Sequence, residues 1–253
     1  MGLGLRYCTA GVRSRRRWRQ PRGANKYIRD GKMGKGDRHF GWQVSPYSAK
    51  TRSYLKYIDH DFEDVEPTVF TLAGSIKKAV GRPIMPTMHL SDGRWLQDSS
   101  TIIDHFEAED RYASIQPPGR LQKFACALLE VFADEWLPMA ALHYRWHVPE
   151  NETFALDEFA RSGLPWLPRF VGKRVIKGFG AKMKSYLPVL GVCDATIAGV
   201  EATAQLTIHA LNEQLAHTRF VLGAIPCIAD FSLYGPLWAH LYRDPGSRYL
   251  FDE

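Results

Sequence analysis

The stretch Arg82–Glu107, "RPIMPTMHLSDGRWLQDSSTIIDHFE", combines a strand hairpin with the start of a helix. Asp92-Gly93 is a strong turn pair between two strand-like pieces, the first of which is Thr87–Leu90. Gln97-Asp98-Ser99 then ends the second piece and opens a helix predicted over Ser100–Phe106, because Asp and Ser are common residues at helix N-caps. The order of these signals predicts a small α/β unit.

A second α/β signal lies upstream, in "HFGWQVSPYSAKTRSYLKY", residues 39–57. Its aromatic residues predict a strand over Phe40–Val44, and the turn Ser45–Ser48 leads into a helix. A weaker strand is predicted near Phe62. The first N–H groups of a helix are unpaired and attract anions. Two hydroxyl residues at this turn therefore indicate either a binding site or a helix cap.

Helical periodicity predominates after the segment Arg111–Arg120, where two prolines and a glycine interrupt regular structure. Two sets of apolar residues each share one helical face, which predicts two amphipathic helices. The sets are Leu121, Phe124, Leu128 and Phe132, and Val200, Ala204, Ile208, Leu211 and Leu215. The segment Val148–Lys173 contains three prolines and is predicted to be a long loop or a broken helix. The chain thus reads as a small α/β domain followed by an all-helical one.

Composition excludes several classes of protein. The 253 residues are 45% apolar, which is enough for one large core or two modest ones. No apolar run approaches the ~20 residues that a membrane span needs, so we expect a soluble protein without a span. The four cysteines, Cys8, Cys126, Cys193 and Cys227, are far apart and lack metal-ligand spacing. This favours structural thiols in a reducing compartment.

Positive charge is concentrated at the N-terminus. Residues 1–38 contain twelve Lys and Arg against Asp30 and Asp37, about +10, so the rest of this chain of net charge +6 sums to about −4. Residues 1–36 lack the aliphatic face of a packed helix and the apolar region of a secretory signal. They are interpreted as a disordered tail, an organelle transit peptide, or an arm for nucleic acid or an anionic membrane. We expect a cytoplasmic protein, with a mitochondrion or another organelle as the alternative.

In order and spacing, these elements resemble the glutathione S-transferase superfamily, from about Phe40 to the C-terminus. The resemblance includes the later segment "PCIADFSLYGPLWAHLY". It implies a thioredoxin-like α/β domain at 37–112 and an all-α glutathione S-transferase-type domain at 113–253, after the basic leader 1–36. It also implies glutathione as co-substrate, a small hydrophobic electrophile as second substrate, a role in detoxification and a homodimer.

The resemblance implies that Ser45 is the catalytic residue. Related enzymes place there the serine or cysteine that contacts the glutathione sulfur. Ser48 stands where dithiol relatives have a second cysteine, so no disulfide can form between these positions. This favours a serine-type transferase or an inactive site over thiol exchange. A plain helix cap is the alternative for Ser45.

The glutathione-binding residues implied by the resemblance are Tyr47, Met85, Pro86, Asp98 and Ser99. The bond Met85-Pro86 is expected to be cis, with Met85 offering its backbone to the peptide, although a trans strand-start proline is the commoner case. Asp98-Ser99 is expected to hold the γ-glutamyl end, or else only to cap the helix. Tyr47 and Trp42 are alternative hydroxyl or wall groups.

The segment "EWLPMAALHYRWHVP", residues 135–149, aligns with the helix that forms a wall of the electrophile pocket in related transferases. Trp136, His143 and Tyr144 are accordingly predicted to line a hydrophobic-substrate pocket, with core packing as the alternative. His143 and His147 have the i, i+4 spacing of metal ligands. No third ligand is evident, so no metal is predicted.

In "CIADFSLYGPLW", Asp230 is expected to cap a core helix together with Cys227, where the family usually has Ser or Thr. Pro236 is expected to kink the helix. Family members usually continue beyond the position of Glu253, so we expect a truncated form or a differently covered core face. The leading hypothesis is a glutathione transferase, and the alternative is a non-catalytic interaction or assembly protein. Nucleic acid is expected as a partner only through the leader.

Overall fold

A computed structural model describes residues 36–252, so the predicted leader lies outside the described residues except for Gly36. The described part contains a four-stranded mixed sheet in the order β2-β1-β3-β4. Its strands are β1 Asp37–Phe40, β2 Phe62–Val65, β3 Thr87–His89 and β4 Trp95–Gln97. Strand β1 is parallel to β2, while β3 is antiparallel to both β1 and β4.

Helices pack on this sheet and then make up the rest of the described chain. Those of the α/β part are α1 Pro46–Tyr57, α2 at 69–80 with a π-helical segment at Leu72–Ile76, and α3 Ser99–Glu107. Those that follow are α4 Arg120–Val131, α5 Leu137–His147, α6 Pro149–Gly163, α7 Arg169–Lys184, α8 Ile197–His217 and α9 Ile228–Pro236. This arrangement confirms the predicted fold class. Among residues 36–252 we find no helix with the length and apolarity needed to cross a bilayer.

The first strand lies upstream of its predicted position. We predicted a strand at Phe40–Val44, and this is wrong because β1 ends at Phe40. Trp42 and Val44 lie in the loop that follows and are buried there, which accounts for the apolar pattern. The Trp42 indole N–H donates to the Pro67 carbonyl at 2.7 Å. The predicted strands near Phe62 and at the start of the hairpin are confirmed.

The hairpin and the helix after it follow their local signals. Gly93 has a φ of +91°, a left-handed conformation that glycine adopts freely, and its N–H donates to the Leu90 carbonyl. Asp98 caps α3, where its carboxylate accepts from the N–H groups of Ser100 at 3.0 Å and Thr101 at 3.1 Å. The predicted helix is confirmed and is one residue longer at each end.

Helix α4 does not face the core in the predicted direction. Leu121, Phe124 and Leu128 are 80%, 62% and 55% exposed. The helix instead buries Cys126 on its other side, in a cluster with residues of α9 such as Ala229. Periodicity identifies an apolar face but not what covers it, and α4 has apolar residues on two sides.

The proline-containing segment Val148–Lys173 is not a long loop, and of the two predicted alternatives the structure agrees with interrupted helical structure. It forms most of α6 and the start of α7, joined by residues 164–168. Pro149 occupies the first turn of α6, where its missing N–H needs no partner. The other two prolines lie in the short connection. The prolines therefore mark helix boundaries.

Helix α9 is capped and packed much as predicted. The Asp230 carboxylate accepts from the Cys227 N–H at 2.8 Å and from its thiol at 3.2 Å. A Cβ on Gly235 would lie only 2.6 Å from the Pro46 carbonyl oxygen, so glycine allows α9 to approach the start of α1. After Pro236 the chain continues as a π-helical segment, Leu237–Tyr242.

Candidate active site

The loop between β1 and α1 is held in place at both ends. A Cβ on Gly41 would lie 2.5 Å from the Ser48 hydroxyl oxygen, so only glycine allows this close approach. Arg52 donates to the Gly41 carbonyl at 3.0 Å, and Arg145 donates to the Val44 carbonyl at 2.8 Å. These contacts fix the position of the next residue, Ser45.

Ser45 is the N-cap of α1, as the sequence indicated. Its hydroxyl oxygen accepts from the Ser48 N–H at 3.3 Å and from the Ser48 hydroxyl at 3.0 Å. Because Ser48 supplies the hydrogen of this second contact, the Ser45 hydroxyl hydrogen is left to point elsewhere. The residue is half-buried and lines a cavity. Ser45 therefore caps the helix and still has a hydroxyl hydrogen that it can donate.

That cavity, which we call the apolar cavity, has a volume of about 330 Å³. It lies between the β1–α1 loop, the segment before β3, and helices α5, α6 and α7. Most of its wall is aromatic or aliphatic. Its lining includes Trp42, Ser45, Met85, Trp146, Phe159 and Phe179.

The apolar cavity has no uncompensated charge in its wall. Arg145 reaches it but makes a two-pronged ion pair with Asp244, at 2.7 and 2.8 Å, and both side chains are almost fully buried. His240 accepts from Arg145 at 2.8 Å. Burial and the neighbouring Arg145 hold the pKa of His240 well below its ordinary value, so its ring is neutral at pH 7. The wall therefore suits a neutral ligand.

A second cavity of about 290 Å³, the polar cavity, lies beside the first. Its lining includes all five predicted glutathione-binding residues: Tyr47, Met85, Pro86, Asp98 and Ser99. The bond Met85-Pro86 is cis, as the resemblance implied. Tyr47 and Met85 line both cavities. The structure thus brings the predicted binding residues together next to Ser45.

Tyr47 is not available as an acid or base. Its hydroxyl donates to the Asp134 carbonyl at 2.8 Å. Burial, together with neighbouring carboxylates, raises the pKa of Tyr47 to about 12. The ring therefore acts as a neutral wall between the two cavities. Ser45, in contrast, has a hydroxyl hydrogen that Ser48 does not use.

Acidic groups predominate in the polar cavity. Asp98, Asp134 and Glu135 line it, and within residues 36–252 no Lys or Arg does. Lys50 lies behind the wall, where it donates to Asp134 at 2.6 Å and to Glu130 at 2.9 Å. Even so, burial raises the pKa of the Asp134 carboxyl. This environment suits the amino group of a ligand better than its carboxylates.

The structure does not bring the predicted pocket-wall residues Trp136, His143 and Tyr144 to the apolar cavity. Trp136 is 59% exposed and lines a separate groove against α8. His143 is buried and contacts His147 at 2.8 Å and Glu201 at 3.0 Å, while Tyr144 packs in the helical core. The reason is helical geometry: the cavity is lined by Pro138, Leu142 and Trp146, which are four residues apart on α5, together with the adjacent Arg145.

No cluster of three metal-ligating side chains is present among the described residues. The absence of a metal stays a prediction.

The comparisons with known proteins agree with this geometry. Residues 40–114 match the family model of the glutathione S-transferase N-terminal domain. Residues 40–114 therefore form a domain of the glutathione S-transferase N-terminal type, in a chain that has the fold of glutathione S-transferases.

Solved structures share the fold of this chain over most of its length. A glutathione S-transferase from Rhodospirillum rubrum F11 has a TM-score of 0.56 at 13% identity, covering 85% of this chain and 86% of that one. A glutathione S-transferase from Methylobacillus flagellatus KT with glutathione bound has a TM-score of 0.52 at 16% identity, covering 86% and 93%. The β-etherase LigF from Sphingobium sp. strain SYK-6 has a TM-score of 0.50 at 17% identity, covering 85% and 98%.

The two cavities relate differently to the matched N-terminal domain. The five predicted glutathione-binding residues and Ser45 lie within the matched domain, residues 40–114. The walls formed by Trp146, Phe159 and Phe179 lie outside it, in α5, α6 and α7. None of these three residues was among the predicted site residues. The helical spacing of α6 and α7 was the available signal, and the three prolines obscured it.

Proposed function

We propose that this protein binds glutathione in the polar cavity and conjugates it to a neutral hydrophobic electrophile held in the apolar cavity. The observation that carries the proposal is the position of Ser45. It lines the apolar cavity beside Tyr47 and Met85, which line both cavities, and its hydroxyl hydrogen is not used by Ser48. Detoxification of such electrophiles is the proposed role.

The chemistry required of the protein is modest. A thiol with a pKa of about 8.5 is mostly protonated at neutral pH. A hydrogen bond from Ser45 and the positive end of the α1 dipole both favour the thiolate. The thiol proton leaves to solvent, the sulfur electron pair forms the new C–S bond, and the leaving group departs with the electrons of the bond that breaks. Each unit by which the thiol pKa falls is worth about 1.4 kcal/mol.

The polar cavity offers matching groups for the peptide part of glutathione. The Asp98 carboxylate oxygen that does not cap α3 suits the amino group of the γ-glutamyl end, and the Ser99 hydroxyl suits its carboxylate. The glutathione-bound relative from Methylobacillus flagellatus supports glutathione as the ligand. In this assignment α3 holds one end of the peptide while α1 holds the sulfur.

The test is calorimetry and retention on immobilised glutathione. We expect folded wild-type protein to bind, and Asp98→Ala combined with Ser99→Ala to weaken binding by about 10- to 100-fold, as for loss of hydrogen bonds to charged groups. Asp92→Ala is the matched control, since this exposed aspartate caps the neighbouring hairpin turn through Arg94 but lies outside the cavity. No binding by folded wild-type protein at millimolar glutathione would contradict the proposal.

The second candidate function is a non-catalytic interaction or assembly protein. Two observations favour it. The polar cavity has no Lys or Arg for the two carboxylates of glutathione within the described residues, and α4 exposes an apolar face. This candidate predicts neither retention on glutathione nor conjugation.

We also propose that the protein forms a homodimer through α4. Leu121, Phe124, Leu128 and Val131 are all more than half exposed and follow one another along the helix. Contiguous apolar surface of this kind marks interaction sites. Phe124→Glu should convert a dimer into a monomer in sedimentation velocity. Phe170→Glu is the control, because Phe170 on α7 is 76% exposed but lies on another helix. A monomeric wild-type protein would contradict the proposal.

A further inference from the structure

Helix α7 is strongly basic. Its 16 residues include six Lys or Arg and no Asp or Glu, although the chain after residue 38 sums to about −4. Three of the six cations form ion pairs with acidic side chains of α6, namely Arg169–Asp157, Lys173–Asp157 and Lys184–Glu152. The other three are exposed and form no ion pair within residues 36–252: Arg174, Lys177 and Lys182. Half of the charge on α7 therefore faces solvent without a partner.

The packing of α7 on α6 fixes which side of α7 faces outward. The buried side is a stripe with i, i+4, i+8 spacing: Gly172, Ile176 and Gly180. A Cβ on Gly172 would lie 3.1 Å from the Ala160 Cβ, so glycine allows the two helices to approach closely. A separate, exposed side contains three residues with the i, i+4, i+7 spacing of one helical face: Phe170, Arg174 and Lys177.

Large apolar side chains are exposed on α7 and at both of its ends. Phe170 in the first turn is 76% exposed, and Val175 is 60% exposed. Phe70 of α2, which is 72% exposed, stacks on Trp166 just before α7, with ring centroids 5.0 Å apart. Val189, shortly after the helix, is 82% exposed. Together with the three exposed cations, these five residues form what we call the α7 surface.

We propose that the α7 surface docks on an anionic lipid bilayer. Lys and Arg are attracted to the negative potential of such a bilayer, and apolar side chains on the same helix enter the boundary between headgroups and acyl chains. Tryptophan is enriched at that level. None of the three exposed cations lines the apolar or the polar cavity. Docking therefore uses residues outside the candidate active site.

An anionic bilayer fits the α7 surface better than a nucleic acid does. Both partners would attract the cations, but single-stranded nucleic acids also use aromatic faces on which bases stack. Val175 and Val189 offer no such face and are among the exposed apolar residues. Aliphatic side chains can instead enter the apolar edge of a bilayer.

The test is flotation of the full-length protein with lipid vesicles. We expect binding to phosphatidylcholine vesicles that contain about 30% phosphatidylserine, and little binding to pure phosphatidylcholine, because the cations need a negative surface. Binding should weaken as salt is raised, since the screening length falls from about 10 Å at 0.1 M to about 3 Å at 1 M. This measurement uses the wild-type protein, so it does not depend on whether a variant folds.

Two sets of substitutions locate the binding surface. Combining Arg174→Gln, Lys177→Gln and Lys182→Gln should weaken binding to the phosphatidylserine vesicles by about 100-fold, since each cation near an anionic bilayer contributes about 5-fold. The matched control replaces three exposed cations of other elements that also form no ion pair in the described part of the chain: Lys56→Gln, Lys123→Gln and Arg219→Gln. Both variants lose the same net charge and keep the basic N-terminus, so only the location differs.

A third variant tests the apolar part of the α7 surface. Phe170→Ser should weaken vesicle binding by about 5- to 10-fold, as expected for a phenylalanine that is partly buried in the bilayer. Leu206→Ser is its control, because Leu206 on α8 is 67% exposed but lies outside the α7 surface. The melting temperature of each variant in the absence of lipid verifies that it is folded.

Four results would overturn the proposal. The first is no binding of wild-type protein to the phosphatidylserine vesicles. The second is equal weakening by the α7 set and by its control, which would assign the binding to the basic N-terminus or to net charge alone. The third is unchanged binding by Phe170→Ser. The fourth is binding of a DNA duplex, weakened by the α7 set, by a protein that does not float with the vesicles, since the partner would then be a nucleic acid.

Discussion

The two cavities beside Ser45 are built in different ways. The polar cavity is made by short segments of the α/β domain, where Asp98 caps α3 and a cis bond precedes Pro86. The apolar cavity is made where three helices of the C-terminal part meet the β1–α1 loop. One depends on the ends of secondary-structure elements and the other on long-range packing. Different mutations should therefore disrupt the polar cavity and the apolar cavity.

The largest loss of stability is expected on breaking the Arg145–Asp244 ion pair, which keeps the wall of the apolar cavity neutral. Asp244→Asn leaves the buried Arg145 charge without its partner and should lower the free energy of unfolding by about 3–5 kcal/mol, measured by urea denaturation. The polar cavity should keep its glutathione affinity under folding conditions, because Asp244 does not line it.

Glu66→Gln is the matched control for this change. It also replaces a carboxylate by an amide, but its partner Arg161 is 44% exposed. Its cost should be below about 1 kcal/mol, as for other solvent-exposed pairs. Equal losses of unfolding free energy in the two variants would show that the buried Arg145–Asp244 pair stabilises the protein no more than the exposed pair does.

The next effect is expected where the two cavities meet. Ser45→Ala should lower turnover by about 10- to 1000-fold and raise the pKa of the bound thiol by about one unit or more, since the hydroxyl stabilises the thiolate more than the thiol. Because the pKa of the bound thiol is higher in this variant, the thiolate forms only at higher pH. Activity should therefore be lost most at the acidic end of the pH profile. Glutathione affinity should change less.

The measurement is a pH titration of thiolate absorbance in the glutathione complex, alongside turnover. Ser53→Ala is the control, because Ser53 is on the same helix and donates to the Lys50 carbonyl, away from both cavities. Ser45→Cys should instead create a reactive cysteine at a helix N-terminus and shift the site toward thiol exchange. If Ser45→Ala changes neither titration nor turnover, Ser45 is only a helix cap.

Local chemistry explains why the polar cavity could be predicted from sequence. The caps at Ser45 and Asp98 and the Asp92-Gly93 turn depend on residues within a few positions of each other. The cis bond at Pro86 came only from the resemblance, because trans is the common state of such bonds. The acidic contributions of Asp134 and Glu135 were missed, since they come from a distant part of the chain.

The apolar cavity could not be predicted in the same way. Aromatic residues occur both just before α5 and along it, so the sequence does not distinguish the exposed Trp136 from the cavity-lining Trp146. The prolines around α6 and α7 signalled broken structure although Pro149 begins a regular helix. The apolar stripe on α4 likewise predicted a core face, whereas Phe124 is exposed. Each error concerns what an element packs against, which periodicity does not specify.

The smallest effect distinguishes the two tryptophans of the apolar wall. Trp42→Phe and Trp146→Phe remove the same atoms from buried sites, so the cost of the space left behind should largely cancel between them. Trp42→Phe also removes the donor that satisfies the buried Pro67 carbonyl. Trp146→Phe removes a donor that has no partner in the described protein. In ligand-free protein, Trp42→Phe should therefore be the more destabilising by about 1–3 kcal/mol.

Urea denaturation of both variants without ligand checks this difference. Equal destabilisation by the two substitutions would mean that the Trp146 N–H is already satisfied in the free protein, for example by water.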